Sequence, residues 1–183
     1  IWRGHVCLIV HPGVPGDRGA SALDWAVLQR EKRWGVTVLQ ANAEMDAGDI
    51  WASVEFAMRD ASKASLYRNE VTSAAVEAVS LAVTRFQAGD FRPCPLDVTA
   101  PEMRGELRPL MRQSDRSIDW QQDDTATVLR KIRCADGFPG VCDRLFGRQV
   151  FLYDACPEHS LQGTAEQQPA KWRRAIDVRF NQF

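Results

Sequence analysis

The chain has 183 residues, 45% of them hydrophobic, and a formal net charge of −1. That length and composition suit one ordinary domain, or one and a fraction, with apolar material enough for a core. The balanced charge offers no general attraction to nucleic acid or to a membrane surface, so neither is an expected partner.

The chain opens at Ile1, inside a strand-like run, which predicts a piece of a longer protein. No apolar run approaches the roughly 20 residues of a spanning helix, and no signal-peptide pattern is present. Cys7, Cys94, Cys134, Cys142 and Cys156 are odd in number, widely spaced and free of any C-x-x-C pair. This argues against a disulfide framework and a zinc site, and predicts a cytoplasmic protein without a metal. Arginine outnumbers lysine heavily, with Lys32, Lys63, Lys131 and Lys171 the whole lysine complement.

Val6 to Val10 is continuously apolar, as in a strand covered on both faces of a parallel α/β sheet. It stops at His11-Pro12-Gly13, which places His11 at the carboxyl end of that strand, the edge where open α/β sheets bind ligands. The loop from His11 to Gly19 carries two prolines and three glycines and is a shaped turn. Ser21 to Arg33 reads as a helix ended by Gly35, and Val36–Leu39 and Ile50–Met58 read as strands around a Glu44–Asp49 turn. Ser65 caps a long helix that Gly89 closes. Its Tyr67, Val71, Ala74, Ala75, Ala78, Leu81, Ala82 and Phe86 recur at core spacing.

Residues 93–119 are proline-rich and weakly periodic, which predicts a linker between a domain at 1–92 and a partial second domain at 120–183. Arg104, Arg108, Arg112 and Arg116 recur every four residues there, but Gly105 and Pro109 oppose a helix, so a solvated linker is the expectation. Asp124 to Cys134 reads as a helix with Val128, Leu129 and Ile132 inward. A Phe146-Gly147 turn and a strand at Arg148–Asp154 follow, and Gly163–Ala170 reads as loop. His159, beside Glu158 and Cys156, has no spaced second pair and reads as surface.

His11 and Asp46 carry the most chemistry. A histidine at a strand end and a carboxylate in a second glycine turn suit one acid/base site. Each alone has a plainer reading, as a structural histidine and as turn chemistry of the kind that Asp49 beside Gly48 illustrates. A neutral imidazole can move protons or donate to an oxyanion, and a nearby carboxylate can orient it, hold a relaying water or stabilise the imidazolium.

The order His11-Pro12, a Pro/Gly loop, Arg18-Gly19, then Trp34-Gly35-Val36-Thr37-Val38 and Met45-Asp46-Ala47-Gly48-Asp49-Ile50 resembles the folate-dependent formyltransferases. Ser117-Ile118-Asp119-Trp120 is similar to the opening of their second domain. His11 to Gly19, Arg108 to Gln113 and Asp136 to Val141 resemble the branch that serves nickel–iron hydrogenase maturation. The resemblance spans residues 5–156. It implies an α/β fold: part of a Rossmann-like domain with an open, mostly parallel sheet, then the start of an OB-like domain. It also implies formyl transfer from 10-formyltetrahydrofolate, with coenzyme A as acceptor and the product decomposing to supply a carbon monoxide ligand. Other hydrogenase maturation proteins are then the implied partners. His11 and Asp46 would be catalytic, and Arg18, Gly19, Glu44 and Met45 would contact substrate. A tRNA- or sugar-directed formyltransferase and a non-catalytic folate-binding module stay open as alternatives. One departure is Ile9, where the group carries an oxyanion-donating asparagine.

Overall fold

The computed structural model describes residues 1–100, 103–145 and 147–158 in full and 175–181 as backbone. His159, Gly163–Ala170 and Phe146 lie outside the described residues. Among the described residues, two three-stranded sheets form: β1 (Leu8–His11), β2 (Arg33–Gln40) and β3 (Ile50–Ala57) make the first, and β4 (Val141–Leu145), β5 (Arg148–Glu158) and β6 (Ala175–Asn181) the second.

The first sheet corrects the expectation of a mostly parallel one. β1 pairs antiparallel with β2, His11 opposite Thr37, and β2 pairs antiparallel with β3. Nor is β1 covered on both faces: Ile9 is 37% and Val10 45% exposed. Among the described residues only β2 pairs with β1, and a continuous apolar run does not itself distinguish a buried strand from an edge. β2 is the central strand, and Trp34, Val36, Val38 and Leu39 on it are buried.

The first helix, α1 (Ala22–Leu28), is shorter than its apolar pattern suggests. Arg30 adopts φ +63°, its N–H donates to Val27 O, and Glu31 N–H donates to Ala26 O. That is the Schellman arrangement, with an arginine where glycine is usual. Gly35, expected to terminate this helix, lies inside β2 instead.

The long helix begins three residues early, because Ser62 and not Ser65 is its cap: the Ser62 hydroxyl accepts from Ser65 N–H at 3.3 Å. α2 (Lys63–Leu66) runs through a π turn at Tyr67–Val71 into α3 (Thr72–Ala88), and Gly89 ends it at φ +77°. The π turn shifts the helical phase. Ala74, Ala78 and Ala82 face the sheet, whereas Tyr67, Leu81 and Phe86, expected inside, are exposed.

α4 (Thr125–Arg133) packs Val128, Leu129 and Ile132 against Val141, Val150 and Leu152 of the second sheet. The segment joining the two units is not a free linker. Cys94 exchanges both backbone hydrogen bonds with Ile50, and Met111 is buried in the first core. The four arginines do not share one helix, Arg116 alone closing a 3₁₀ turn at Gln113–Arg116, and they are not all solvated, since Arg108 and Arg116 are largely enclosed.

Candidate active site

β1 delivers His11 to the sheet end, and the loop after it folds back underneath. Trp34 on β2 donates its indole N–H to Pro12 O at 2.9 Å, and the Thr37 hydroxyl donates to Gly13 O at 2.8 Å. These two bonds fix the loop path and return Asp17 to the histidine it left six residues earlier. His11 Nε2 lies 2.9 Å from Asp17 Oδ1. Gly13 makes that approach possible, because a Cβ there would come within 2.4 Å of His11 Nε2 and 2.7 Å of Asp17 Oδ1.

The other ring nitrogen faces the second turn. His11 Nδ1 is 3.5 Å from Asp46 Oδ2, and the same oxygen accepts from Gly19 N–H at 3.2 Å. Asp46 holds φ +52°, a left-handed turn conformation that aspartate tolerates better than most residues. The imidazole is thus bracketed by two carboxylates at opposite nitrogens and is 4% exposed. In chemical terms, each ring nitrogen has a carboxylate oxygen beside it.

The structure therefore brings together His11, Asp46 and Gly19 of the residues singled out in the sequence. Gly19 acts through its backbone. Arg18 sits beside the site, its N–H bonded to Glu106 O at 3.1 Å. Glu44 and Met45 are not in contact with the histidine; they occupy the outer end of the turn, Met45 71% exposed. Ile9, two residues before His11 on β1, is partly exposed and has no side-chain hydrogen-bond donor.

Sequence reasoning missed Asp17 and Arg108. Asp17 is fully enclosed, and its Oδ2 lies 3.6 Å from Arg108 Nε. The joining segment brings that arginine in by running beside the His11 loop: Arg18 N–H donates to Glu106 O and Arg108 N–H to Arg18 O. Gly105 is packed so closely that a Cβ would meet Asp17 N at 1.7 Å. The described cavities lie elsewhere, at the seam of α1 with α4, at that of α2 with β5, and over β3 and α3.

Residues 2–83 match the formyl transferase family. The chain is 55% identical, over 89% of its length and 28% of the relative's, to the hydrogenase maturation factor HoxX of Bradyrhizobium diazoefficiens. It is 25% identical over 88% of its length to a methionyl-tRNA formyltransferase of Anaeromyxobacter dehalogenans, half of which it spans. HypX of Aquifex aeolicus, solved in complex with tetrahydrofolic acid, superposes with a TM-score of 0.81 at 48% identity, over 89% of this chain and 28% of that one. The chain thus spans less than a third of HoxX and HypX. Its residues 2–83 match the formyl transferase family, and along 89% of its length it is similar to one portion of the HoxX and HypX maturation factors.

Proposed function

We propose that this chain takes part in formyl transfer from 10-formyltetrahydrofolate during hydrogenase maturation, with His11 as general acid/base and Asp46 beside it. The observation that carries the reading is the imidazole held between two carboxylates, within the family-matched segment of a chain so similar to HoxX and to a tetrahydrofolate-binding HypX.

Coenzyme A is the acceptor in this reading. Its thiol sulfur attacks the formyl carbon, the carbon–N10 bond breaks, and the thiol proton passes by way of His11 to the departing folate nitrogen. Formyl-coenzyme A then decomposes to coenzyme A and carbon monoxide, the ligand for the nickel–iron site. Acid–base help of this kind is worth about 10²–10⁴ in rate, and positioning of donor and acceptor must supply the remainder. With Ile9 unable to donate, the formyl oxyanion takes its hydrogen bond from the His11 ring or a backbone N–H. Arg18, Gly19, Glu44 and Met45 contribute to the folate side of the pocket. Residues 1–92 form the later part of the catalytic domain, 93–119 the connection, and 120–183 the opening of an OB-like domain. The setting is the cytoplasm, with other maturation proteins as partners.

Ile9 and the low exposure of His11 favour one second reading, a folate-binding module without turnover. A single assay separates the two: tetrahydrofolate release from 10-formyltetrahydrofolate by the full-length protein, with and without coenzyme A. We expect release that depends on coenzyme A and falls at least a hundredfold, roughly, in His11→Ala. Release unaffected by that substitution removes His11 from the mechanism, and release indifferent to coenzyme A removes the acceptor.

A further inference from the structure

The acid/base reading of His11 leaves one carboxylate of the site without a role. Asp17 is completely enclosed, more so than Asp46, whose side chain is 14% exposed. A buried carboxylate is strongly unfavourable unless hydrogen bonds or an opposite charge answer it. Two groups do so here. Oδ1 meets His11 Nε2 at 2.9 Å, and Oδ2 has no hydrogen-bond partner but faces Arg108 Nε, equally unpartnered, at 3.6 Å.

Arg108 is itself firmly held. Its backbone N–H is bonded to Arg18 O at 3.0 Å and its guanidinium to the Gln29 side-chain carbonyl; it also pairs ionically with Glu106 at 3.3 Å and lies over the Trp34 ring. The ring of His11 consequently faces a fully enclosed carboxylate on one side and the partly exposed Asp46 on the other. On the enclosed side, the Asp17 carboxyl group, backed by the Arg108 guanidinium, lies within hydrogen-bond distance of Nε2. On the other side, Nδ1 faces Asp46 at 3.5 Å, too far for a good hydrogen bond of its own.

We propose that Asp17, charge-balanced by Arg108, is the positioning residue of His11: it holds the Nε2-protonated ring and leaves Nδ1 to exchange protons with the reacting groups beside Asp46. The orienting role expected of Asp46 passes to Asp17, and Asp46 acts on the reacting side. This rests on His11 being the acid/base group. The logic is that of any triad in which a buried carboxylate fixes the tautomer of an imidazole that works through its other nitrogen.

The test uses the full-length protein and three readouts. Asp17→Asn removes the charge while keeping the shape, and kcat should fall about 10²–10⁴-fold with KM for 10-formyltetrahydrofolate changed less than about threefold. Arg108→Lys should keep kcat within about tenfold of the parent while Arg108→Met does not, since the lysine restores the balancing charge. Asp17→Asn added to His11→Ala should cost nothing further, because the pair acts as a unit. The third readout is ¹⁵N NMR of the histidine rings in the parent at a pH where they carry one proton, with the His11 signal identified by its loss in His11→Ala. A protonated Nε2 and a bare Nδ1 are expected. A bare Nε2, or parental kcat in a folded Asp17→Asn protein whose His11→Ala counterpart is inactive, overturns the proposal. An active His11→Ala protein overturns the acid/base reading instead. Should Asp17→Asn not fold, the ring spectrum of the parent decides.

Discussion

Gly13 occupies the one position in the His11 loop where a single methyl group would strike both members of the buried pair at once. Gly13→Ala should therefore push His11 and Asp17 apart. Steady-state assay should show kcat reduced about a hundredfold or more, and circular dichroism should show a fold still present, because the damage is confined to the loop. Cys134 is a second residue with a sharp expectation. Burial pushes its thiol up to about 11, and its Sγ packs against Met111 Sδ at 3.8 Å. It is a thiol and not a thiolate at pH 8, so alkylation followed by mass spectrometry should label exposed Cys94 and Cys156 and leave Cys134 untouched in the native protein. At this scale the sequence was partly legible. His11 and Asp46 stand out by residue type and place. Asp17 does not, since aspartate between Gly16 and Arg18 is ordinary turn composition, and only the return of the loop beneath the strand end gives it a partner.

Among the elements, α4 shows how a readable signal becomes an energy. Asp124 accepts from Thr127 N–H at 2.7 Å, and the hydrogen bonds from Thr127 hold its carboxyl below the usual carboxylate range. Asp124→Ala should lower stability by about 1 kcal/mol near neutral pH, measured by denaturant titration. A carboxyl with a depressed folded value adds stability only where it is ionised. The gap between parent and variant should therefore persist above about pH 4 and close as the pH falls through that range. The start of this helix was legible because Asp followed by an apolar period is a local pattern. Gly89 was legible as the end of α3, but the end of α1 and the phase of α3 were not. Arg30 closes α1 in a conformation that glycine usually signals, and the π turn at Tyr67–Val71 rotates α3 so that alanines, not the larger residues, meet the sheet. Both follow from what the backbone packs against, which a periodicity does not contain. The direction of β1 escaped for the same reason, since strand pairing is a long-range choice.

At the scale of the whole molecule, the two units are joined by charge as well as by chain. Lys63, at the start of α2, lies 3.0 Å from Asp24 of α1 and 2.9 Å from Asp136 beyond α4, with Arg116 close by. Burial pulls the Lys63 ammonium down, but hydrogen bonds and charge from Asp136 and Asp24 outweigh it and leave it above its ordinary value. Burial likewise pushes the Asp24 carboxyl up, against the pull of Lys63. Lys63→Met strands two carboxylates and should destabilise the protein by about 2–4 kcal/mol, discounted because Asp136 is largely exposed. Asp24→Asn in the same chain should recover part of that loss in thermal unfolding. The stability from Lys63 is whole at neutral pH and disappears only as pH rises above about 10.4 and through its raised value. Nothing in the sequence joined residues 24, 63 and 136, and the proline-rich stretch between units looked detachable because composition reports loop and not what the loop touches.

The return of that stretch to Arg18 also sets an order of events during synthesis. At about 5–20 residues per second, Arg108 is made roughly 5–20 s after Asp17. Until then the newborn chain holds an anion with no cation to seal it in, so the histidine pocket is among the last parts of the first unit to set, whatever its early place in the chain.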